Sequence, residues 1–363
     1  MRKKRSYASL AAMSALALGL TACSGMPERD GKDSDVSTNK GSINGSGASS
    51  QVNAQQAWRD NYSASSGFTI NYDPTGSGTG REQFIAGKTA FAGTDSVLNP
   101  EEVAAATSRC NGTEPLELPL YISPIALAFN LDGITSLNLT ADLIAHIFNG
   151  TITTWNDPKI ADINPGVKLP EIPIIPVNRA DDSGTTKNFQ KYLVEAAGKA
   201  WPHKPEETWP ISGTQSAEKT SGVVNLVKST PGAITYADAA QIAGLGSVAV
   251  QVNGKFLPYS PGAAAAIVDG SGLDDDATER RITFALKRDG SVADAYPIVM
   301  ISYLVACTDY SQPGTAEAVK GYLTYVASAE GQEKAAAAKG GNAPISQQLR
   351  ERVTTAINLI STN

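Results

Sequence analysis

One short segment concentrates groups that could hold an anion. It spans residues 178–193, NRADDSGTTKNFQKYL, and opens with Arg179 and two aspartates. Its apolar residues recur at helical spacing, which predicts a helix that begins at Ser183, Gly184, Thr185 and Thr186. A helix N-terminus offers free backbone N–H groups and partial positive charge, and hydroxyl side chains add further donors. One serine or threonine cap is ordinary, but four small donor residues beside Arg179 indicate an oxyanion site.

Two further loops repeat this design. The stretch GSGASS places Ser49 and Ser50 before one predicted helix, and PTGSGTG places Ser77 before another. Any single loop of this kind is common, and GSGTG lacks the endings of a Walker A loop or of a full dinucleotide fingerprint. Three such loops, one with an arginine beside it, favour a small oxyanion enclosed between helix ends.

Two carboxylates lie close to these donors in the sequence. Asp181 can orient the Arg179 guanidinium, so that its remaining N–H groups form a fork toward a ligand. Asp95 ends the strand-like stretch TAFAGTD. An ionised carboxylate only accepts hydrogen bonds, so Asp95 can contact an anion only if that anion carries a proton, as phosphate does at neutral pH and sulfate does not. The alternative is that Asp95 is a turn or cap residue after the strand.

The N-terminus has the pattern of an export signal. Basic MRKKR precedes a short apolar stretch and LTAC, which ends at Cys23. Because LTAC resembles the bacterial lipobox, we expect a signal peptide at residues 1–22 and lipid modification of Cys23. The alternative is an ordinary signal peptide with an incidental cysteine. The polar, Gly/Ser/Asp-rich residues 23–42 are typical of a flexible tether.

Charge and cysteine content narrow the function further. Loss of residues 1–22 would lower the formal charge from −6 to −10, because four cations and no anions are removed. The long-range positive field that gathers nucleic acid is therefore absent, and an anion must be held by local donors. Cys110 and Cys307 remain, without a CxxC pattern or a nearby histidine. In an exported protein this pair predicts a disulfide rather than a metal site.

Short apolar strands alternate with helical patterns from about Ile43 onward. The pattern predicts an α/β fold with a mostly parallel sheet. Predicted helices include Val52–Tyr62 and Ala141–Phe148, and the predicted strands are residues 68–72, 89–94, 119–131, 171–178 and 233–237. Two apolar segments, 120–131 and 296–306, are longer than usual strands. They are either ordinary core strands or two crossovers between lobes, with both chain ends in one lobe and the middle in the other.

Several motifs together resemble the phosphate-binding subunit of bacterial ABC-type phosphate uptake systems. The resemblance runs from about Ile43 to the C-terminus, and its most specific part is RADDSGTT at residues 179–186. GSGASS, GSG at 76–78, FAGTDSVL at 91–98 and TPGAITYA near Thr230 occur in the family's order. An aromatic residue is common in the family where Ser50 stands. The resemblance implies that Asp181 supports Arg179. It also implies ligand contacts from Ser49, Ser50, Ser77, Asp95, Arg179, Ser183, Gly184 and Thr185.

The resemblance also implies an architecture and a setting. The fold would be a bilobal type II periplasmic-binding-protein fold, with lobe I at residues 43–124 and 302–363 and lobe II at 125–301. The ligand would lie in the cleft, no cofactor is implied, and the binding domain would be monomeric. A lipid on Cys23 would hold the protein at the outer face of the cytoplasmic membrane, near an ABC permease.

Three other functions compete with this interpretation. A phosphatase or phosphotransferase would need an activated nucleophile or a metal, but His146 and His203, the only histidines, lie in no motif and no cluster has metal-ligand spacing. Asp95 argues against a binder of sulfate, molybdate or tungstate. A lipid-anchored sensor or adhesin with the same fold stays open from the sequence alone.

Overall fold

The computed structural model of the protein describes residues 40–339 and 341–362. The predicted signal peptide, Cys23 and the predicted tether up to residue 39 lie outside the described residues. The first strand begins at Gly41, so it includes the last two residues of the predicted tether. Among the described residues, no helix combines the length and the apolar composition needed to span a membrane.

The described part of the chain contains thirteen strands and eleven α-helices. The strands are β1 Gly41–Gly47, β2 Phe68–Asp73, β3 Phe91–Thr94, β4 Leu116–Phe129, β5 Ser136–Leu139, β6 Ile175–Arg179, β7 Gln215–Ala217, β8 Ala233–Asp238, β9 Gly246–Val252, β10 Lys255–Leu257, β11 Gly272–Leu273, β12 Phe284–Ala285 and β13 Val299–Ala306. The helices are α1 Val52–Ser66, α2 Ser77–Ile85, α3 Pro100–Arg109, α4 Ala141–Phe148, α5 Pro158–Asp162, α6 Gly184–Ala197, α7 Lys219–Ser229, α8 Pro261–Asp269, α9 Pro313–Ala327, α10 Ala329–Ala337 and α11 Gln347–Asn358. The predicted α/β fold is confirmed.

Burial patterns explain why these segments form these elements. Alternate residues of β2 are buried, the period of a strand with one covered face. Every residue of β4 and β13 is buried, as expected of strands covered on both faces. Capping residues set several helix starts: Asn99 forms a capping box at α3, and Thr140 and Ser183 cap α4 and α6.

The sheet is mixed, so the prediction of a mostly parallel sheet is wrong. The strand order is β2-β1-β3-β13-β4-β8-β6-β7, with β9 branching from β4 and pairing with β5 and β10. The pairs β1–β2, β1–β3, β6–β7, β6–β8 and β5–β9 are parallel. The two long central strands run antiparallel to each other and to their neighbours β3, β8 and β9. A continuous apolar run predicts burial but carries no information on strand direction.

β4 changes partner within its length. Residues 116–124 pair with β13, and Ile125–Phe129 pair with β8. The change falls at Pro124, which has no N–H to donate to a sheet ladder. The two long apolar segments of the sequence therefore lie side by side as β4 and β13. Because β4 pairs first with β13 and then with β8, it connects the two parts of the sheet.

A disulfide joins Cys110, which follows α3, to Cys307, which follows β13. This confirms the predicted pairing. The bond closes a loop with a sequence separation of 197 residues, and a cross-link of that span removes much conformational freedom from the unfolded chain.

Candidate anion-binding site

Several chain segments approach one another very closely around Asp95. A side chain on Gly184 would place its Cβ 2.7 Å from the Cβ of Asp95, and one on Gly76 would come 2.8 Å from Oδ2 of Asp181. Gly76 also has a φ of +104°, a conformation that favours glycine. The glycines of the donor loops therefore let the starts of α2 and α6 meet at one point.

The carboxylate of Asp95 accepts three side-chain hydrogen bonds from three parts of the chain. Its Oδ1 accepts from Ser50 Oγ at 2.7 Å and from Ser302 Oγ at 2.5 Å, and its Oδ2 accepts from Thr185 Oγ1 at 2.9 Å. The backbone N–H of Asp95 donates to Ser77 Oγ at 3.1 Å. Asp95 is 3% exposed, so these hydroxyls take the place of water around it.

Burial dominates the electrostatics of Asp95. Loss of water raises the pKa of its carboxyl, although hydrogen bonds from the three hydroxyls and the charge of Arg179 partly oppose the shift. A dry carboxylate ringed by hydroxyl groups is an acceptor for any further O–H group that enters the site. It would repel an anion that has no proton to donate.

Arg179 and Asp181 form the ion pair that the sequence predicts. Nε of Arg179 donates to Oδ1 of Asp181 at 2.7 Å, and Nη2 contacts Oδ2. The N–H of Lys219, at the start of α7, also donates to Oδ1 at 2.9 Å. Burial alone would raise the pKa of Asp181, but the hydrogen bonds and charge of Arg179 lower it. Asp181 thus holds one edge of the guanidinium, and the opposite edge can meet a ligand.

The remaining predicted residues lie in the same place, mostly with their hydroxyls already engaged. Ser49 Oγ lies 3.0 Å from Thr220 Oγ1 and accepts the Thr220 N–H at 3.0 Å. Ser183 Oγ accepts the N–H of Thr186 at 3.2 Å and so caps its own helix. The structure therefore brings all nine sequence-predicted residues together, with the Ser50 side chain on Asp95.

Sequence reasoning missed three residues of this cluster. Ser302 lies inside the apolar run of β13, where its only signal is a small hydroxyl residue among core residues. Thr220, near the start of α7, resembles the other serine and threonine donors at helix starts. Asn188 donates from Nδ2 to the carbonyl oxygens of Asp95 at 2.6 Å and Gly184 at 2.9 Å, and its place on α6 gave no signal.

A second contact between distant segments lies next to the cluster. Arg81 of α2 pairs with Glu207 at 2.9 Å and with Glu102 of α3 at 2.8 Å. The Glu207 carbonyl accepts the N–H of Ser183 at 3.1 Å. Both side chains of the Arg81–Glu207 pair are largely buried. The pair therefore ties the start of α2 to the loop beside the start of α6.

Comparisons with known proteins identify the family of this chain. Residues 33–330 match the family model described as a PBP superfamily domain. The Phosphate-binding protein PstS2 of Mycobacterium bovis (strain BCG / Pasteur 1173P2) is 34% identical across 99% of this chain and 100% of its own. PfluDING, a high-affinity periplasmic phosphate-binding protein solved with phosphate, has a TM-score of 0.70 at 20% identity, covering 86% of this chain and 92% of its own.

A further solved structure shares the fold. It is a putative phosphate ABC transporter substrate-binding protein from Clostridium perfringens with bound phosphate, with a TM-score of 0.59 at 19% identity, covering 83% of this chain and 99% of that one. The predicted periplasmic-binding-protein fold is thus confirmed. The chain belongs to the PBP superfamily and, within it, to the PstS family of phosphate-binding proteins.

Proposed function

We propose that this protein binds inorganic phosphate and delivers it to a membrane ABC permease for import. The observation that carries the proposal is the buried Asp95 carboxylate, which accepts three hydroxyl groups and lies beside the Arg179–Asp181 pair. Arginine and helix-terminal N–H groups suit a phosphate's charge, and Asp95 suits its proton. The relatives named phosphate-binding proteins support the same ligand.

The ligand contacts of this proposal are the residues that the sequence singled out. Asp95 accepts the phosphate O–H, Arg179 faces the oxygens with its free edge, and Asp181 holds Arg179 in place. The starts of α1, α2 and α6 supply backbone N–H donors and the hydroxyls of Ser49, Ser77 and Ser183. Ser50, Gly184 and Thr185 contribute through their backbone N–H groups, since the Ser50 and Thr185 hydroxyls donate to Asp95. Ser302 and Thr220 join this set as positioning residues, since one bonds Asp95 and the other bonds Ser49.

The proposal includes two lobes that close on the ligand. Lobe I comprises residues 43–124 and 302–363, and lobe II comprises 125–301. The partner change of β4 at Pro124 supports a boundary there. On this division, the hydrogen bond from Thr185 to Asp95 and the Arg81–Glu207 ion pair both cross the cleft. Closure would exclude water, which strengthens each of these contacts.

The cellular setting also belongs to the proposal. The lipobox-like LTAC supports export and a lipid anchor on Cys23, which would keep a monomeric binding domain at the outer face of the membrane beside its permease. The likeness to the putative phosphate ABC transporter substrate-binding protein of Clostridium perfringens supports the permease partnership.

A binding role fits the site better than catalysis. The polar groups around Asp95 hold one another in fixed hydrogen bonds, and none pairs a nucleophile with a histidine base. No cluster of metal-ligating side chains occurs among residues 40–339 and 341–362. Asp95 disfavours the alternative of another tetrahedral oxyanion. A sensing role would use the same phosphate site and would differ only in its partner.

Titration calorimetry with phosphate tests the proposal. We expect one tight site per chain in the parent protein, and at least about tenfold weaker binding in Arg179→Gln, because a charged, bidentate partner is lost. The control is Arg352→Gln, an exposed arginine of α11. The proposal fails if the parent protein binds no phosphate, or if the two variants bind it equally well.

A further inference from the structure

A cavity of about 250 Å³ lies behind the backbone of Asp95. Its walls are residues 95–97, the exposed side of α6, the segment 284–288 and part of β13. Lys191 and Glu195, on its rim, are exposed, so the cavity opens to solvent there. Its volume is sufficient for a small anion together with water.

Three cationic side chains line this cavity. Lys187 and Lys191 stand one turn apart on α6, and Arg288, from the segment 284–288, is hydrogen-bonded to Asn188 of the same helix. Among the residues that the structure describes, neither lysine ammonium has an ion-pair or hydrogen-bond partner. Asp95 and Glu195 are the acidic residues that line the cavity, and Glu195 accepts the backbone N–H of Arg288 at 3.0 Å.

Arg288 is buried without a carboxylate on its guanidinium. It is 2% exposed, and its Nη1 donates to the carbonyl oxygens of Pro297 at 3.1 Å and Val299 at 2.6 Å. Its Nη2 donates to Oδ1 of Asn188 at 2.5 Å. These neutral acceptors fix the guanidinium in place, and no carboxylate contacts it directly.

The electrostatics follow from this arrangement. Burial lowers the pKa of Arg288 to about 10, with the charge of Glu195 opposing the shift. Partial loss of water, with the charges of Arg288 and Lys187, also lowers the pKa of Lys191, and the charges of Glu195 and Asp274 oppose that shift. Cations gathered without enough counter-charge repel one another, and an anion between them would relieve that repulsion. Such a cluster is unexpected in a chain whose formal charge is −6.

The cavity is separate from the site around the Asp95 side chain. The carboxylate of Asp95 is held by Ser50, Ser302 and Thr185. Asn188 stands between the two sites, since it donates to the backbone carbonyl of Asp95 and accepts from Arg288. An anion in the cavity would therefore not meet the carboxylate that demands a proton from its ligand.

We infer that this cavity is a second oxyanion site, weaker than the first, which binds phosphate and sulfate alike through Lys187, Lys191 and Arg288. Charge alone selects its ligand, because its lysines are flexible point charges without a fixed hydrogen-bonding frame. The inference goes beyond the proposed function, since it concerns a different set of residues. The lysines, whose ammonium groups form no hydrogen bond or ion pair with another described group, are the part of the site that can be changed without removing buried contacts.

The test is a sulfate titration of the phosphate-saturated protein at constant ionic strength, followed by the backbone amide NMR signals of Ser96, Asn188 and Leu286. We expect saturable shifts with a dissociation constant of about a millimolar, because a small number of solvent-exposed charges binds an anion only weakly. Lys187→Gln/Lys191→Gln should weaken this binding at least about fivefold. Lys187→Arg/Lys191→Arg should retain it, which shows that a loss in the glutamine variant is due to charge.

The matched control is Lys159→Gln/Lys199→Gln, which removes the same charge from two exposed lysines away from the cavity walls. Shifts that do not saturate would overturn the inference. An equal response in the parent protein and the Lys187/Lys191 glutamine variant would do so as well, as would equal weakening by the control. If the parent protein shows no tight phosphate binding, the proposed function is refuted instead. The sulfate titration without phosphate would then still test the cavity.

Discussion

Thr185 Oγ1 lies 2.9 Å from Oδ2 of Asp95, although the two residues are 90 positions apart in the chain. One comes from the first turn of α6 and the other from the end of β3. Their hydrogen bond joins the electron-poor start of a helix to a buried acceptor. In the proposed function, this pairing of donors with one acceptor is what distinguishes a protonated anion from an unprotonated one.

Asp95→Asn should weaken the discrimination between phosphate and sulfate. The amide keeps the shape of the carboxylate but can donate a hydrogen bond, so sulfate would no longer face a buried negative charge. Repulsion of a buried charged group costs roughly 1–3 kcal/mol or more, so the affinity ratio should shift toward sulfate at least about tenfold. Competition titrations with both anions measure this, with the exposed Asp132→Asn as a charge control. If Asp95→Asn rejects sulfate as strongly as the parent protein does, Asp95 does not set the selectivity.

Site residues could be predicted where their pattern lies within one short stretch of sequence, and not where distant segments bring them together. Arg179, Asp181 and residues 183–185 stand in one short stretch before a helix, so residue type and spacing were sufficient to find them. Asp95 was named because an acceptor-only carboxylate beside an anion site requires a protonated ligand, and because FAGTDSVL resembles the family; residue type alone left a turn or cap role open. Ser302 was missed because a serine inside an apolar strand is indistinguishable by pattern from a core residue. Its role exists only because β13 lies next to β3 and β4.

The fold was likewise predictable only where it depends on short stretches of sequence. Apolar periodicity located α4 at its observed bounds and found the long strands β4 and β13. It did not reveal that those strands run antiparallel, because direction depends on long-range pairing and connection. The Arg81–Glu207 contact has a similar origin, since nothing in the loop around Glu207 signals its distant partner.

Glu207→Gln should speed the release of phosphate. Breaking a largely buried ion pair leaves the Arg81 charge less well compensated, and on the proposed division of the lobes the pair exists only when they are closed. We expect the dissociation rate to rise at least about fivefold, measured by stopped-flow displacement. Glu206→Gln is the matched control, because Glu206 is exposed and adjacent. Identical release rates in the two variants would show that the pair does not hold the closed form.

Asp238 should make stability depend on pH. The residue lies at the end of β8, accepts from Tyr121 Oη at 2.9 Å and from the Ala240 N–H at 3.0 Å, and is fully buried. Burial raises the pKa of Asp238 to about 7. The folded chain therefore keeps this proton to a higher pH than the unfolded chain does. This proton therefore stabilises the folded state at low pH. Its contribution to the free energy of unfolding, at most about 4 kcal/mol, is lost as pH rises from about 4 to about 7.

Urea unfolding of the parent protein and of Asp238→Asn at several pH values measures this effect. The asparagine resembles the protonated carboxyl and does not titrate. The parent protein should therefore lose stability relative to the variant as pH rises across that range. Parallel curves for the two proteins would mean that Asp238 has an ordinary pKa in the folded state.

Loss of the Cys110–Cys307 disulfide should destabilise the protein by about 2–5 kcal/mol, because the unfolded chain regains the freedom of a long loop. Urea unfolding of Cys110→Ala/Cys307→Ala against the oxidised parent protein measures the difference. Alkylation and mass spectrometry under non-reducing conditions provide the check on the pairing itself. Two free thiols in the parent protein, or equal stability of the two proteins, would contradict this prediction.

The most direct measurement of the central claim is the melting temperature of the parent protein in phosphate, sulfate and molybdate at equal ionic strength. A ligand that binds only the folded state must raise the melting temperature by mass action. We expect phosphate to raise it in a saturable way, while sulfate and molybdate leave it near the value in chloride. A rise with sulfate or molybdate as large as that with phosphate, or no rise with phosphate, would contradict the assignment of this protein as a selective phosphate binder.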